Sequence, residues 1–424
     1  MPRKLMQNPS EPEIQKRNFR NVQIDGIGVS ISNVAAPFLP VFLTRLGASN
    51  FQVGLLTSMP GMTGLLLAIL VGRFLQTRQN IVSWYSISRL LVISCYALTG
   101  LLTFALASKF TVVATLVIWA FATLPQTALA VAFSVVMNAV AGPEGRYNLL
   151  SRRWAIYGLT TVVGTFFVTR MIDLIQFPYN YAVMFLGLSL GGLLSYYFSR
   201  RIIIPDQVPL TRGASSLSVL DTARSYYAMI RSAPAFTSFA LKKFVYYSAL
   251  VLSQPIMPLF LVRVVKATDS QIGIITMAMT IVMLAGYFLW PISSRRVGGR
   301  FVLLATTFGM IFYPALTAAT PQIPLIIAYS AINGLFQAGL DLVFFDEMMK
   351  TVPQEYSATF VSIIYSMQYF SAIVAPLIGT WLADWIGLGG ALWVSAGLRL
   401  FGFLLFLKKD GSPKNKSTSE PDSV

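Results

Sequence analysis

Apolar residues form long runs along the chain, and polar residues are concentrated in the short segments between these runs. A helix of about 20 apolar residues is long enough to cross the hydrocarbon core of a bilayer. The pattern predicts twelve spans, numbered 1 to 12 in chain order: 22–44, 51–73, 83–107, 110–138, 154–172, 181–199, 236–262, 271–293, 301–320, 323–349, 357–382 and 388–407. The expected fold class is therefore an all-α integral membrane protein.

A stretch at the end of span 1 is repeated at the end of span 7. Residues 37–45 read PFLPVFLTR and residues 255–263 read PIMPLFLVR, so both prolines, a Phe-Leu pair and the arginine recur at an offset of 218. The match continues at an offset of 219 through Ala48 and Ala267, Gln52 and Gln271, Gly54 and Gly273, and Thr57 and Thr276. A period of half the chain indicates two homologous halves. Six spans in each half give the halves the same orientation in the membrane, so they are parallel repeats.

The longest connection between spans divides them six and six. Five regions follow: a cytoplasmic N-terminal segment 1–21, a six-helix bundle 22–199, a linker 200–233, a second six-helix bundle 234–407 and a disordered tail 408–424. Of the 32 Lys and Arg residues, 23 lie on the side of the two termini, five lie in loops on the other side and four lie within spans. Positive loops remain cytoplasmic, so both termini are expected inside. The short loops favour location in a plasma membrane, specifically a prokaryotic inner membrane.

Composition excludes several classes of protein. Charged residues make up 11% of the chain, less than half their usual share in a soluble domain. The net charge of +16 does not indicate a nucleic-acid partner, because the basic residues lie between apolar runs. The chain has no histidine and no phosphate-binding loop of the Gly-x-x-x-x-Gly-Lys-(Ser/Thr) type. We therefore expect no enzyme activity, no cofactor and no metal. The protein is expected to be a monomer in the lipid bilayer.

The arrangement of six plus six spans, parallel halves, inside termini and a long basic central loop resembles the major facilitator superfamily. That family carries Gly-x-x-x-Asp-(Arg/Lys)-x-Gly-x-(Arg/Lys) between spans 2 and 3. Here residues 72–78 keep the glycine but lack the acid, and residues 291–300 keep the basic-x-Gly-x-basic end with Arg295 in place of the acid. The resemblance implies the major facilitator fold, with spans 1, 4, 7 and 10 lining a central cavity that opens alternately to either side.

Polar residues recur at helical spacing on those four spans. Span 10 has the most continuous stripe, with Ser330, Asn333, Gln337 and Asp341 spaced by 3, 4 and 4 residues. The other candidates for the substrate cavity are Ser32, Asn33, Thr123, Gln126, Thr127, Tyr247 and Gln254. Polar side chains inside a membrane usually face a bundle interior or a water-filled cavity. The alternative is that they form hydrogen bonds between helices.

Five charged residues inside the spans are candidates for coupling or ion pairing: Asp25, Arg89, Lys243, Asp341 and Arg399. Asp341 lies nine residues before the basic end of span 10, about 13 Å along the helix and so near the middle of the membrane. It could bind a proton, a lysine or a cationic substrate, or form a fixed ion pair. Asp25 and Lys243 are equivalent in the repeat, which suggests an ion pair, direct or through Asp341, that opens and closes with the transport cycle. The alternative is that each side chain extends separately to the cytoplasmic interface. Arg89 and Arg399 could bind an anionic ligand, a carboxylate or backbone carbonyls.

Five prolines are expected to bend spans 1, 4 and 7, which suits a rocking mechanism: Pro37, Pro40, Pro125, Pro255 and Pro258. The predicted function is secondary active transport of a small molecule by alternating access, with proton coupling through Asp341 as one option. Efflux of a drug or metabolite and movement of a sugar-like solute both fit the polar stripes. The alternative is a non-transporting membrane scaffold, or a factor for pigment delivery or assembly.

Overall fold

The structure is a computed structural model that describes residues 11–76, 78, 80–204, 233–351 and 357–408. Most of the predicted linker and all but the first residue of the predicted tail lie outside these ranges. The described residues contain helices and no strands. The helices are Glu11–Asn33, Phe38–Arg45, Asn50–Gln76, Ile81–Ala105, Ser108–Ile172, Tyr179–Ser199, Pro234–Leu252, Ile256–Arg263, Asp269–Val297, Gly299–Ala319, Ile323–Thr351 and Ser357–Leu407.

Each predicted span overlaps a described helix, but predicted spans 4 and 5 share the single helix Ser108–Ile172, which has no break between them. Ten described segments are long and apolar enough to cross a membrane by length and composition. One of them, Ile363–Leu407, contains both spans 11 and 12, and the 27-residue helix Asn50–Gln76 corresponds to span 2. Within the long helix Ser357–Leu407, Gly387 interrupts the helical backbone at φ 78° and ψ 163°. Glycine adopts such a positive φ at little cost because it has no Cβ.

Spans 1 and 7 are each built from two helices, and the break falls at the repeated prolines. Pro37 and Pro255 occupy the residue before the second helix of each span, with φ of −69° and −75°. Pro40 and Pro258 follow in the first turn, where backbone N–H groups have no helical partner and proline costs little. Pro125 behaves differently, because the helix Ser108–Ile172 continues through it.

The two halves meet along two equivalent pairs of spans. Span 2 packs against span 11, and span 5 packs against span 8. Exchanging the halves turns span 2 into span 8 and span 11 into span 5, so one pair becomes the other. This is the relation expected for parallel repeats about an axis along the membrane normal. The contacts are close: a Cβ added at Gly64 would lie 2.5 Å from Tyr369, and one at Gly158 would lie 2.4 Å from Leu284.

Candidate functional site

Asp341 on span 10 is held by two neutral hydrogen-bond donors. The Tyr287 hydroxyl on span 8 donates to Oδ2 at 3.0 Å, and Gln337 Nε2, one turn earlier on span 10, donates to Oδ1 at 2.8 Å. Among the described residues no Lys or Arg lies within ion-pair distance of this carboxylate. Tyr247 on span 7 is close enough to interact with it electrostatically. Among the described residues the carboxyl group of Asp341 therefore has only neutral polar partners.

The carboxylate faces the interior of the molecule and is open to it. Its neighbours Tyr287 and Tyr247 belong to spans 8 and 7, and span 8 packs on span 5 of the other half. Asp341 is nevertheless an exposed residue.

The rest of the span 10 stripe is divided between two roles. Gln337 is half-buried and holds Asp341, as described above. Ser330 is fully buried and donates to the carbonyls of Ile327, at 2.8 Å, and Ile275 on span 8, at 3.1 Å. Asn333 is buried, and its Oδ1 has no hydrogen-bond partner. Ser330, at the start of the stripe, thus contacts span 8, whereas Gln337 and Asp341, at its end, border the interior.

The candidate cavity residues on spans 1, 4 and 7 also divide into buried residues and accessible residues. Three of them, Ser32, Thr123 and Thr127, are buried and donate to backbone carbonyls. Asn33 is exposed and donates from Nδ2 to the Tyr157 hydroxyl on span 5 at 3.0 Å. Gln126 and Tyr247 are half-buried, and Gln254 is exposed at the break in span 7. The accessible polar groups of these spans are therefore amides and phenols.

Asp25 does not pair with Lys243 in the conformation of this structure, and it is bound within its own half instead. The Asp25 carboxylate is fully buried in its own bundle, where Tyr85 donates to Oδ2 at 2.9 Å and Ser195 to Oδ1 at 2.5 Å. Lys243 lies with its Nζ 5.5 Å from the ring centroid of Phe344. The reason is the direction of Asp25, which points toward spans 3 and 6 instead of across to span 7.

Two arginines supply the positive charge beside Asp25. Arg153 Nη2 lies 3.3 Å from Oδ2 and Arg89 Nη2 lies 3.6 Å from the same oxygen, and both arginines are buried. Arg89 therefore has a carboxylate partner, one of the options considered for it. Arg399 has no carboxylate partner among the described residues; it donates to the Met310 carbonyl at 2.7 Å and to the Ser253 hydroxyl at 2.6 Å. Arg89 and Arg399 are therefore each held by groups of their own half.

An interaction between the halves that the sequence pattern does not reveal involves Arg45, at the end of span 1. Its Nε donates to Asp269 Oδ1 at 2.5 Å, and its Nη2 donates to the Ala267 carbonyl at 2.7 Å. Tyr181 also donates to Asp269 Oδ1, at 2.7 Å. Asp269 begins span 8, which belongs to the other half. We call this set of contacts the Arg45 clamp.

The equivalent arginine of the second half makes the equivalent contact. Arg263 donates from Nη1 to Asn50 Oδ1 at 2.6 Å and from Nη2 to the Ala48 carbonyl. Asn50 begins span 2 of the first half, and its Nδ2 donates to Asp384 Oδ1 at 2.6 Å. We call this set the Arg263 clamp. It differs from the Arg45 clamp in that the arginine binds an amide oxygen instead of a carboxylate.

The duplicated motif accounts for both clamps. The repeat relates the residues in pairs: Arg45 and Arg263, Ala48 and Ala267, and Asn50 and Asp269. Each arginine binds the motif of the opposite half, so the pseudo-twofold axis that relates the two halves also relates the two clamps. Where both partners of a hydrogen bond between the halves belong to the described residues, the bond lies at this end of the molecule. The repeat was visible in sequence, but only the structure shows that its arginines cross between the halves.

Comparison with known proteins finds a family match in the second half of the chain. The model of the Major Facilitator Superfamily matches residues 239–423, a little under half of the chain. The second half is therefore similar to this superfamily, and the first half carries the same sequence repeat. No curated protein sequence matches the chain.

Solved structures of transporters match over nearly the whole chain. A variant of the nucleoside transporter NupG aligns with a TM-score of 0.71 at 13% identity, covering 92% of this chain and 99% of that one. A bacterial homologue of the iron transporter ferroportin, in an inward-facing state, aligns with a TM-score of 0.68 at 15% identity, covering 94% and 99%. A bacterial homologue of the human lysosomal transporter Spinster gives 0.66 at 13%, covering 94% and 97%. At such identities the likeness extends to the fold alone.

Proposed function

We propose that this protein is a secondary transporter of the major facilitator type, coupled to protons, that carries a small, neutral, polar solute. The observation that carries the proposal is Asp341: a carboxylate inside the membrane, open to the interior and bonded only to neutral donors. A charged side chain at such depth is costly and is usually found on an ion or proton pathway. A carboxylate without a cationic partner can lower that cost by taking up a proton.

The chemistry of the surrounding side chains supports a neutral solute. The groups that remain accessible are the amides of Asn33, Gln126 and Gln254 and the phenols of Tyr157 and Tyr247. Amides and phenols both donate and accept hydrogen bonds, which suits hydroxyl- or amide-bearing molecules such as sugars and nucleosides. The likeness to NupG, a nucleoside transporter, is compatible with this class.

The two clamps support alternating access. With both termini cytoplasmic, as the distribution of Lys and Arg predicts, the clamps lie at the outer end of the molecule and hold the halves together there. Asp341 lies toward the cytoplasmic end of its helix and faces open space. We therefore assign the structure to an inward-facing conformation, in which the outer path is closed.

The test is transport in proteoliposomes with an imposed pH gradient, using a panel of labelled sugars, nucleosides and neutral amino-acid derivatives. Native protein is compared with Asp341→Asn, which keeps the shape and removes the titratable group. Asp346→Asn is the matched control, because Asp346 lies on the same helix but forms an exposed ion pair with Lys350 at 2.6 Å. We expect Asp341→Asn to abolish gradient-driven accumulation while solute exchange without a gradient continues.

Other outcomes would change the assignment. Flux that ignores both the gradient and the Asp341 substitution would make the protein a facilitator and reduce Asp341 to a structural role. Equal losses in the two Asn variants would show that the effect is not specific to the interior carboxylate. No flux of any panel member, from protein whose folding is verified, would favour the scaffold alternative.

A further inference from the structure

A basic pocket lies at the end of the first half where span 1 begins and span 5 begins. It has a volume of about 510 Å³ and is lined by Gln15, Lys16, Phe19, Arg20, Gln23 and Arg152. The lining provides three cations and two amides, and no acidic residue is among its described members. Lys16, Arg20 and Arg152 are all exposed, and none of them forms an ion pair within the described part of the chain. Within the described ranges, like charges therefore converge there and no acidic side chain pairs with them.

The pocket opens toward the lipid side of the bundle. Arg152 and Arg153 are adjacent in sequence but point in different directions: Arg153 is buried against Asp25, and Arg152 is exposed. On span 5, Arg152 is followed at helical spacing by Ile156, Leu159 and Val163. Leu159 and Val163 are 64% and 47% exposed, as expected for side chains that contact lipid tails.

Span 1 presents a second stripe of the same kind beside it. Arg20 is followed at spacings of 4, 3 and 4 residues by Ile24, Ile27 and Ile31, all half-buried. The two spans are held together by Ser30, whose hydroxyl contacts the Tyr157 carbonyl and the Thr161 hydroxyl, each at 2.7 Å. Two apolar stripes thus run side by side into the membrane, and each begins at a basic residue of the pocket.

We propose that this pocket is a binding site for the phosphate-bearing headgroup of an anionic phospholipid, whose acyl chains lie along the two stripes. Basic pockets at the membrane surface between spans bind anionic headgroups through charge and hydrogen bonds. Arginine offers paired donors to phosphate, and the Gln15 and Gln23 amides add further donors. The apolar stripes distinguish this ligand from a soluble anion, which would use only the pocket.

The experiment measures lipid binding to the purified full chain by native mass spectrometry. Phosphatidylglycerol and phosphatidylcholine with identical acyl chains are added in turn. The pocket variant combines Lys16→Gln, Arg20→Gln and Arg152→Gln. The control combines Arg17→Gln, Arg295→Gln and Arg296→Gln, which removes the same charge from exposed residues on the same side that do not line the pocket. A third arm adds inorganic phosphate and glycerol phosphate as competitors.

We expect the native chain and the control to retain phosphatidylglycerol in preference to phosphatidylcholine. The pocket variant should lose that preference by at least tenfold, since each basic residue near an anionic surface contributes about fivefold in affinity. Equal loss in the control, or equal binding of the two lipids by the native chain, would overturn the proposal. Complete displacement by the soluble phosphates would overturn the assignment to a lipid. If the triple variant does not fold, Arg152→Gln alone is compared with Arg17→Gln, and a loss of about fivefold confined to Arg152→Gln is expected.

Discussion

At the scale of single residues, the buried cluster around Asp25 shows an unequal balance of charge. One carboxylate faces two arginines, all three residues are buried, and Nε of both arginines lacks a hydrogen-bond partner. Replacing Asp25 by Asn leaves two buried positive charges without an anion. Such an uncompensated charge costs about 3–5 kcal/mol. We expect Asp25→Asn to lower the thermal unfolding temperature of the purified protein strongly.

Replacing Arg89 by Gln should have a smaller effect on the same measurement. Arg153 remains beside the carboxylate at 3.3 Å, so the variant keeps a balanced pair and loses mainly the bond from Arg89 to the Tyr85 hydroxyl at 2.6 Å. Asp346→Asn is the control for the Asp25 substitution, because an exposed ion pair contributes only about 0–1 kcal/mol. Equal losses for Asp25→Asn and Arg89→Gln would contradict this account of the charge balance.

At the scale of helices, the packing of span 10 on span 8 depends on Gly334. A Cβ at Gly334 would lie 2.2 Å from the Met279 carbonyl oxygen. Because that oxygen belongs to the backbone, it can move away only if the helices separate. We expect Gly334→Ala to lower the free energy of unfolding by about 1–3 kcal/mol, the usual cost of overpacking. Separation of the helices would also displace Tyr287 from Asp341, so transport should fall with stability.

Gly187 provides a matched control for this substitution. It lies within the helix Tyr179–Ser199, and an added Cβ there would meet nothing within 4 Å. Gly187→Ala should therefore leave the unfolding temperature unchanged or raise it slightly, because alanine restricts the unfolded chain. A loss in Gly187→Ala as large as that in Gly334→Ala would show that glycine flexibility, and not close packing, is the cause.

Helices were the part of the structure that the sequence predicted best. Apolar run length determines where a helix can cross a membrane, and the repeated prolines mark where spans 1 and 7 divide into two helices. The orientation of polar side chains was less predictable. Ser330 and Asp341 belong to one stripe, yet one contacts span 8 and the other faces open space. Spacing defines a face of a helix, but it does not say which neighbour covers each part of that face.

At the scale of the whole molecule, contacts between the halves required the structure. Equivalence in the repeat suggested that Asp25 and Lys243 would meet, since residues near a twofold axis can pair with their equivalents. The contacts that form instead connect non-equivalent positions: Arg45 binds the start of span 8, and Arg263 binds the start of span 2. The repeat identifies which residues of the two halves are equivalent. Whether two residues come into contact depends on how far each lies from the axis that relates the halves.

The clamps predict how the molecule opens at its outer end. Arg45→Gln combined with Arg263→Gln removes both charge-assisted contacts and should shift the population toward the outward-facing state. Spin labels at Lys109→Cys in the first half and Gln322→Cys in the second, in a Cys95→Ser background, report the distance between the halves at that end. We expect the double clamp variant to lengthen this distance relative to native protein. Lys266→Gln, which removes an exposed charge from the same outer region, should not.

The difference between the two clamps makes the prediction more specific. Asp269→Asn turns the Arg45 clamp into the amide-bound form that the Arg263 clamp already has, so it should lengthen the distance less than Arg45→Gln. Asn50→Asp is not expected to strengthen the other clamp, because the new carboxylate would face Asp384, which accepts from Asn50 at 2.6 Å. A short distance that persists in the double clamp variant would show that helix packing alone closes the outer end. The arginines would then position the starts of spans 2 and 8 without controlling the opening of the outer end.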